Sequence, residues 1–134
     1  MNKKEYFDTI NYEIFLGEGG GRRINYAPSF LQRLRIKYIN PDTNCMYLAR
    51  KMWYFWEKGG IRRRVSKILF ILIHRRYSCC FFPYAKVGRG LYIPHPIGIV
   101  IGKCTIGEDC MIYQNCTIGV LRDGDEAKGL TPTI

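Results

Sequence analysis

The side chain best suited to chemistry is His95, which stands between Pro94 and Pro96 in an apolar, glycine-containing stretch. Imidazole titrates close to neutral pH, so a histidine can take the proton from an attacking hydroxyl group. The two prolines would stiffen the backbone that carries the ring. The other histidine, His74, lies among basic residues, and no motif gives it a role. Two histidines are too few for a three-histidine zinc site within one subunit.

Six cysteines are the second set of residues with chemical potential. Cys104, Cys110 and Cys116 recur at a spacing of six residues, which places the thiols on successive sides of a repeat. Sulfur atoms arranged in this way do not converge on one tetrahedral centre. We therefore interpret the three cysteines as small apolar packing residues, and the sequence predicts no metal site and no disulfide.

The six-residue spacing extends from residue 87 onward and fits neither an α-helix nor an ordinary hairpin strand. Each unit opens with a branched aliphatic residue and has a small residue at its fifth position. Such units are typical of a triangular solenoid, in which three units form one coil of about 18 residues. The opening residues, which we expect to point inward, are Val87, Ile93, Val100, Ile106, Ile112 and Ile118.

A polar excursion at 119–131 interrupts the repeat, which resumes at Ile134. About two coils and the start of a third are therefore predicted, fewer than a solenoid usually needs to bury its own core. An uncovered strand edge would face solvent. We expect the chain to be truncated, or its end to be covered by partner subunits.

Residues 1–80 show helical spacing instead and form a predicted basic, helical region. The glycine-rich run Leu16–Gly21 is predicted to be a flexible turn that ends a first helix. A second helix is predicted at Pro28–Tyr38. Thr43 or Asn44 is the predicted N-cap of a third helix, which continues to residue 58.

A fourth helix is predicted from Ile61 to about Arg76, with basic residues on both sides of the apolar run Ile68–Ile73. Two interpretations of this helix stay open. One is a buried helix with charged ends, and the other is a basic amphipathic helix that rests weakly on a membrane surface.

The net charge of +10 arises from 21 Lys and Arg against 11 Asp and Glu. Such a charge attracts phosphates, anionic lipids or nucleic acid without selecting among them. The N-terminus lacks the features of a signal peptide, and Ile68–Ile73 is far shorter than the about 20 residues that span a membrane. The sequence predicts a cytoplasmic protein with reduced cysteines.

Two motifs resemble the serine acetyltransferase family and its sugar O-acetyltransferase relatives. They are GRGLYIPHPIGIVIG at Gly88–Gly102 and IYQNCTIG at Ile112–Gly119. Upstream, Arg50, Trp56 and Gly59 extend the resemblance, which covers about 45–134. It implies an α+β chain in sequence order, with a helical region at 1–80 and a short, truncated left-handed parallel β-helix at 81–134.

The resemblance also implies the chemistry. His95 aligns with the histidine that serves as general base, and acetyl-CoA is the acyl donor, bound in the groove between subunits of a homotrimer. No Lys or Arg of this chain is assigned to the CoA, and no metal is expected.

The sequence departs from the family pattern at three positions. Pro94 replaces an acidic residue that holds the amino acid, Cys80 stands about where the family has the aspartate that orients the histidine, and Thr131 replaces a second histidine. His95 then lacks its usual orienting carboxylate, unless Asp42, Asp123 or Asp125 supplies one. The residues expected to border the acceptor site are Pro94, Gly98 and Thr131.

The leading functional hypothesis is transfer of an acetyl group to the hydroxyl of L-serine, as in cysteine biosynthesis. The loss of the acidic neighbour keeps a sugar of a capsular or exopolysaccharide precursor as an alternative acceptor. A non-catalytic module that only binds and trimerises, and an inactive truncated remnant, also stay open. Aromatic and charged residues interleave at Trp53–Lys58, but they suit a packed helix better than a nucleic-acid site.

Overall fold

The computed structural model describes residues 1–18, 29–120, 122, 124, 125 and 127–134. Residues 19–21 of the predicted flexible turn at Leu16–Gly21, and the start of the predicted second helix at Pro28, lie outside these residues. The first helix continues to Glu18, so it ends later than predicted. Four helices are found within the described residues, followed by short strands, as the sequence predicted. The helices are α1 (Lys3–Glu18), α2 (Phe30–Tyr38), α3 (Pro41–Lys58) and α4 (Gly60–Tyr77).

The start of α3 differs from the prediction. Asn40, not Thr43 or Asn44, is the N-cap, and its side-chain oxygen accepts a hydrogen bond from the N–H of Asp42 at 3.0 Å. Pro41 suits the first helical position because its missing N–H would be unpaired there in any case. The carboxylate of Asp42 thereby comes to the first turn of α3, where the helix dipole favours a negative charge.

In the described part of the chain, five strands follow the helices: β1 (Cys80–Phe81), β2 (Lys86–Val87), β3 (Val100–Ile101), β4 (Thr105–Ile106) and β5 (Thr117–Ile118). All their pairings are parallel, in the order β1-β3-β5 and β2-β4. A parallel bridge between Tyr92 and Met111 forms a third row, and one between Thr105 and Thr133 extends the second. The chain therefore coils, with three rows of short strands stacked in parallel, and it resumes coiling after the excursion.

The interior of the coils is lined largely by the predicted opening residues, among them Ile93, Ile106, Ile112 and Ile118. The prediction for Val100 is wrong. Val100 is only half-buried, whereas Ile101 is fully buried and pairs with Ile118 in β5. Successive side chains of a strand point to opposite faces, so one of the two neighbours must face outward.

One continuous apolar core joins α3 and α4 to the coils, and a smaller second cluster packs α1 against α3. Trp53 of α3 lies close to Phe81 of β1, with their rings 6.1 Å apart, and its indole N–H donates to the carbonyl of Phe82 at 3.0 Å. Leu69 and Ile73 of α4 belong to the same core. The helices therefore cover apolar surface of the first coil that a lone solenoid would expose.

A buried ion pair fixes α1 and α3 to the first coil. The guanidinium of Arg50, 1% exposed, donates to both carboxylate oxygens of Glu13, with the shortest contact at 2.6 Å. It also donates to the carbonyls of Val87 and Gly88. The N–H of Gly90 donates to Glu13 at 3.1 Å. Burial raises the pKa of Glu13, and Arg50 and the backbone N–H groups oppose that rise.

The fourth helix is buried on one face and exposed on the other. The interpretation of α4 as a fully buried helix is therefore wrong. Ser66, Leu69, Ile73 and Tyr77 face the core, at a spacing that defines a single helix face. Apolar residues elsewhere on α4 are exposed. No helix within the described ranges has the length and apolar character needed to cross a membrane.

The ion pair yields a prediction for stability. Glu13→Gln leaves the Arg50 guanidinium buried without a charged partner, and the free energy of unfolding should fall by about 3 kcal/mol or more. The control is Glu57→Gln, which removes an exposed pair between Glu57 and the N-terminal amine and should cost less than about 1 kcal/mol. Urea unfolding measures both, and equal losses would contradict the role of the buried pair.

Candidate functional site

His95 lies at a corner of the first coil, between the Tyr92 bridge and β3. Pro94 and Pro96 are buried and His95 is exposed, so the two prolines hold the ring toward solvent. The N–H of Ile97 donates to the carbonyl of His95 at 2.8 Å, and the carbonyl of Ile97 accepts from the N–H of Asn115 in the next coil at 2.9 Å. We call residues 94–98 the His95 corner.

The backbone of His95 has a φ of +62°, in the left-handed region. Residues other than glycine seldom adopt this conformation, which costs about 1 to 2 kcal/mol. Such strain persists where the surrounding structure imposes it, and it concentrates at functional sites. Here the hydrogen bond to the next coil and the two buried prolines impose it.

Asp42 is the candidate carboxylate that the structure brings to His95. Its Oδ1 accepts a hydrogen bond from the backbone N–H of His95 at 3.4 Å. Among the described residues, the imidazole itself has no hydrogen-bond partner. Asp42 therefore contacts the backbone of the corner, and its orientation of the ring stays a prediction.

A cavity of about 660 Å³ opens between one face of α2, the start of α3 and the His95 corner. Its wall combines a carboxylate, a guanidinium and two amides with the imidazole, a mixture suited to a small polar molecule. Sequence reasoning missed Gln32 and Arg35, although their helical spacing places them on one face of α2. The lining residues are Gln32, Arg35, Ile39, Asn40, Pro41, Asp42 and His95.

The charge of Asp42 also influences neighbouring groups. Burial raises the pKa of Tyr92, and the negative charge of Asp42 adds to that rise. The same two causes contribute to the raised pKa of Tyr77. Both phenols therefore stay protonated at neutral pH and can donate hydrogen bonds, as Tyr77 does to Asn44 at 2.5 Å.

Asp125, a second candidate carboxylate, does not line this cavity. Asp125 is buried in the excursion, where its carboxylate accepts from the N–H of Arg122 at 3.1 Å and lies 3.8 Å from the ammonium of Lys128. Asp123 lies outside the described residues. Asp125 therefore organises the excursion's own turns.

The residues expected to border the acceptor site occupy different places. Pro94 adjoins His95, and Gly98 closes the corner with a φ of +65° beside the side chain of Asn115. Thr131 ends the excursion, where its N–H donates to the carbonyl of Gly129 at 3.0 Å. The structure thus places Pro94 and Gly98 in the corner, and Thr131 just before the coil resumes.

No cysteine lines this cavity among the described residues, and His74 does not line it either. The thiol of Cys80 lies 3.3 Å from Nδ1 of His74. Cys45 and Cys79 are buried neighbours, and a hydrogen bond from Cys45 lowers the pKa of Cys79 to about 7, against the effect of burial. Within the described residues, no cluster of three or more His, Cys, Asp or Glu is arranged to hold a metal ion.

The sequence was compared with known protein families and with characterised proteins. No protein-family model matches the chain. A serine acetyltransferase from Helicobacter pylori is 55% identical over 38 residues, which is 28% of this chain and 22% of the relative. A serine acetyltransferase from Staphylococcus aureus is 53% identical over the same length, 18% of that relative.

Solved structures match over most of the chain. Serine acetyltransferase 1 from Entamoeba histolytica in complex with L-cysteine has a TM-score of 0.67 and 25% identity, covering 88% of this chain. The Neisseria gonorrhoeae serine acetyltransferase has a TM-score of 0.68 and 18% identity, covering 91%. The resemblance to the serine acetyltransferases is confirmed. This chain spans 41% and 44% of those two serine acetyltransferase chains.

The His95 corner yields a second prediction. In Gly98→Ala, the new Cβ would meet the Asn115 side chain and the backbone would stay in the left-handed region, so the free energy of unfolding should fall by about 1 to 2 kcal/mol. Gly119→Ala is the control, because its Cβ meets nothing within 4 Å and its φ is not positive. Urea unfolding of both variants provides the comparison, and an unaffected Gly98→Ala would show that the corner is not held as described.

Proposed function

We propose that the chain is an acetyl-CoA-dependent O-acetyltransferase of the serine acetyltransferase type, with His95 as general base and L-serine as acceptor. The observation that carries the proposal is the His95 corner, where an exposed imidazole on a strained backbone borders a polar cavity. The sequence and fold likeness to serine acetyltransferases supports the reaction class.

The proposed chemistry is a single acyl transfer. The imidazole of His95 removes the proton from the acceptor hydroxyl, and the oxygen attacks the thioester carbonyl of acetyl-CoA. The carbon–sulfur bond then breaks, and the proton passes from the imidazolium to the CoA thiolate. Backbone N–H groups at the coil turns are the proposed donors to the developing oxyanion.

The coiled part is proposed to be a left-handed parallel β-helix. Its first strand, β1, begins at Cys80, one residue before the expected division between residues 80 and 81. A homotrimer is proposed, with acetyl-CoA in the groove between subunits. The exposed apolar residues Ile97, Met111 and Tyr113 on the outside of the coils support such a contact. One of the solved structures similar to this chain is a serine acetyltransferase in complex with CoA.

A sugar hydroxyl is the second candidate acceptor. Pro94 stands where the resemblance implies an acidic residue for the amino group of an amino acid. The cavity instead offers the amides of Gln32 and Asn40 and the cation of Arg35. Amides suit hydroxyl groups, and a guanidinium suits the phosphate of a nucleotide sugar.

Replacement of His95 tests the general base. His95→Gln should lower kcat by about 10²- to 10⁴-fold, because general-base assistance typically contributes that much. His74→Gln, the matched control, should keep full activity. Chromatographic measurement of free CoA is the assay, since six free cysteines would react with thiol reagents.

Both variants are compared with L-serine and with nucleotide sugars as acceptors. Release of CoA with serine alone supports the leading proposal, and release with the sugars alone supports the second candidate. Full activity of His95→Gln would overturn the assigned mechanism. Absence of transfer to every acceptor by the unaltered chain would overturn the proposed activity.

Asp42 is proposed to position the His95 corner. Asp42→Ala should lower kcat by about tenfold, because it removes a charge-assisted hydrogen bond to the His95 backbone. The KM for acetyl-CoA should not change. Asp42→Asn retains an acceptor oxygen and should recover most of the activity, and Glu108→Ala is the control for loss of an exposed carboxylate. An equal loss in Asp42→Asn and Asp42→Ala would show that the charge, not the backbone contact, is what matters.

A further inference from the structure

A second apolar stripe runs along α4, on a different face from the one that packs into the core. Its members are Ile61, Val65, Ile68 and Leu72, with exposed fractions of 75%, 37%, 57% and 48%. Their spacing keeps them in line along the helix. We call these four residues the α4 stripe. A helix face this apolar is unusual at a surface that only water covers.

Arginines border the α4 stripe on both sides. At 100° per residue, Arg64 and Arg75 lie along one edge and Arg76 along the other. The helix contains no acidic residue. Just before α4, Trp56 lies beneath the guanidinium of Arg63 at 4.9 Å. This end of the helix therefore combines an aromatic ring with cations, a pairing common where protein meets the lipid headgroups.

The charge of these edges decides what can cover the stripe. A second copy of the chain would bring the same arginines against one another, and like charges along a helix seam repel. An anionic bilayer offers opposite charge to the arginines and an apolar interior to the stripe. We propose that α4 lies in the headgroup region of an anionic membrane, with the α4 stripe inserted and the arginines on lipid phosphates.

The fold allows this contact without rearrangement. The core face of α4 carries Ser66, Leu69, Ile73 and Tyr77, and the hydroxyl of Ser66 donates to the carbonyl of Met52 in α3 at 2.8 Å. The α4 stripe lies about 115° around the helix from this face. The helix therefore remains docked on α3 while its outer side meets the lipid. This inference does not depend on the proposed acetyl transfer.

Co-sedimentation with lipid vesicles tests the proposal on the full chain. The chain should bind vesicles of phosphatidylcholine mixed with phosphatidylglycerol, and pure phosphatidylcholine vesicles far less. Binding should weaken as salt rises. Each arginine near an anionic surface contributes about fivefold to binding. The triple variant Arg64→Gln, Arg75→Gln and Arg76→Gln should therefore bind about 100-fold more weakly.

The apolar part is tested separately with Ile61→Ser, Ile68→Ser and Leu72→Ser, which should also abolish most binding to the mixed vesicles. The matched controls remove the same kinds of residue elsewhere. Lys3→Gln, Lys4→Gln and Lys86→Gln remove three exposed positive charges, and Leu130→Ser with Ile134→Ser removes exposed apolar side chains. Both controls should bind nearly as well as the unaltered chain, and circular dichroism checks that every variant is folded.

Two results would overturn the proposal. One is an equal loss of vesicle binding in the α4 variants and in their controls, which would show that net charge or overall hydrophobicity, and not the α4 stripe, causes binding. The other is unaltered vesicle binding by the serine variant together with a smaller oligomer in sedimentation velocity, which would assign the stripe to a second copy of the chain.

Discussion

The fold depends above all on the buried contact between Arg50 and Glu13. A guanidinium taken out of water costs several kcal/mol unless its donors are paired, and here the carboxylate and the carbonyls of Val87 and Gly88 pair them. The contact thus ties α1, α3 and the first coil at one point. Because ion pairs demand defined geometry, it fixes the relative placement of these elements more than it adds to their stability.

The placement of α3 has a direct consequence for the candidate site. Arg50 lies about two turns along α3 from Asp42, so anchoring Arg50 on the first coil also sets where the N-terminus of the helix falls. That N-terminus falls beside the His95 corner, within reach of the His95 backbone N–H. The cavity is therefore a junction between helices and coils, and neither part forms it alone.

The sequence was informative where a residue's role depends on its neighbours along the chain. Turns and caps determine the ends of helices, so the bounds of α4 were predicted within about one residue, and the six-residue spacing predicted the buried Ile106, Ile112 and Ile118. Val100 was misassigned because an aliphatic pair at 100 and 101 satisfies the pattern in two registers. Glu13 could not be found, since its partner is 37 residues away and no local pattern links the two.

The difference between local patterns and contacts of distant residues also explains why the sequence predicted only part of the cavity. His95 belongs to the repeat, so its motif indicated a role, whereas Gln32 and Arg35 lie in a helix whose spacing shows only that they share a face. Asp42 was named as one of three candidate carboxylates, and its contact with the His95 backbone depends on the docking of α3. Since Pro94 offers no charge to an acceptor, the α2 and α3 side of the cavity supplies the polar groups on which selectivity in the proposed reaction would rest. The polar groups there, and not the coil motif, would then distinguish serine from a sugar.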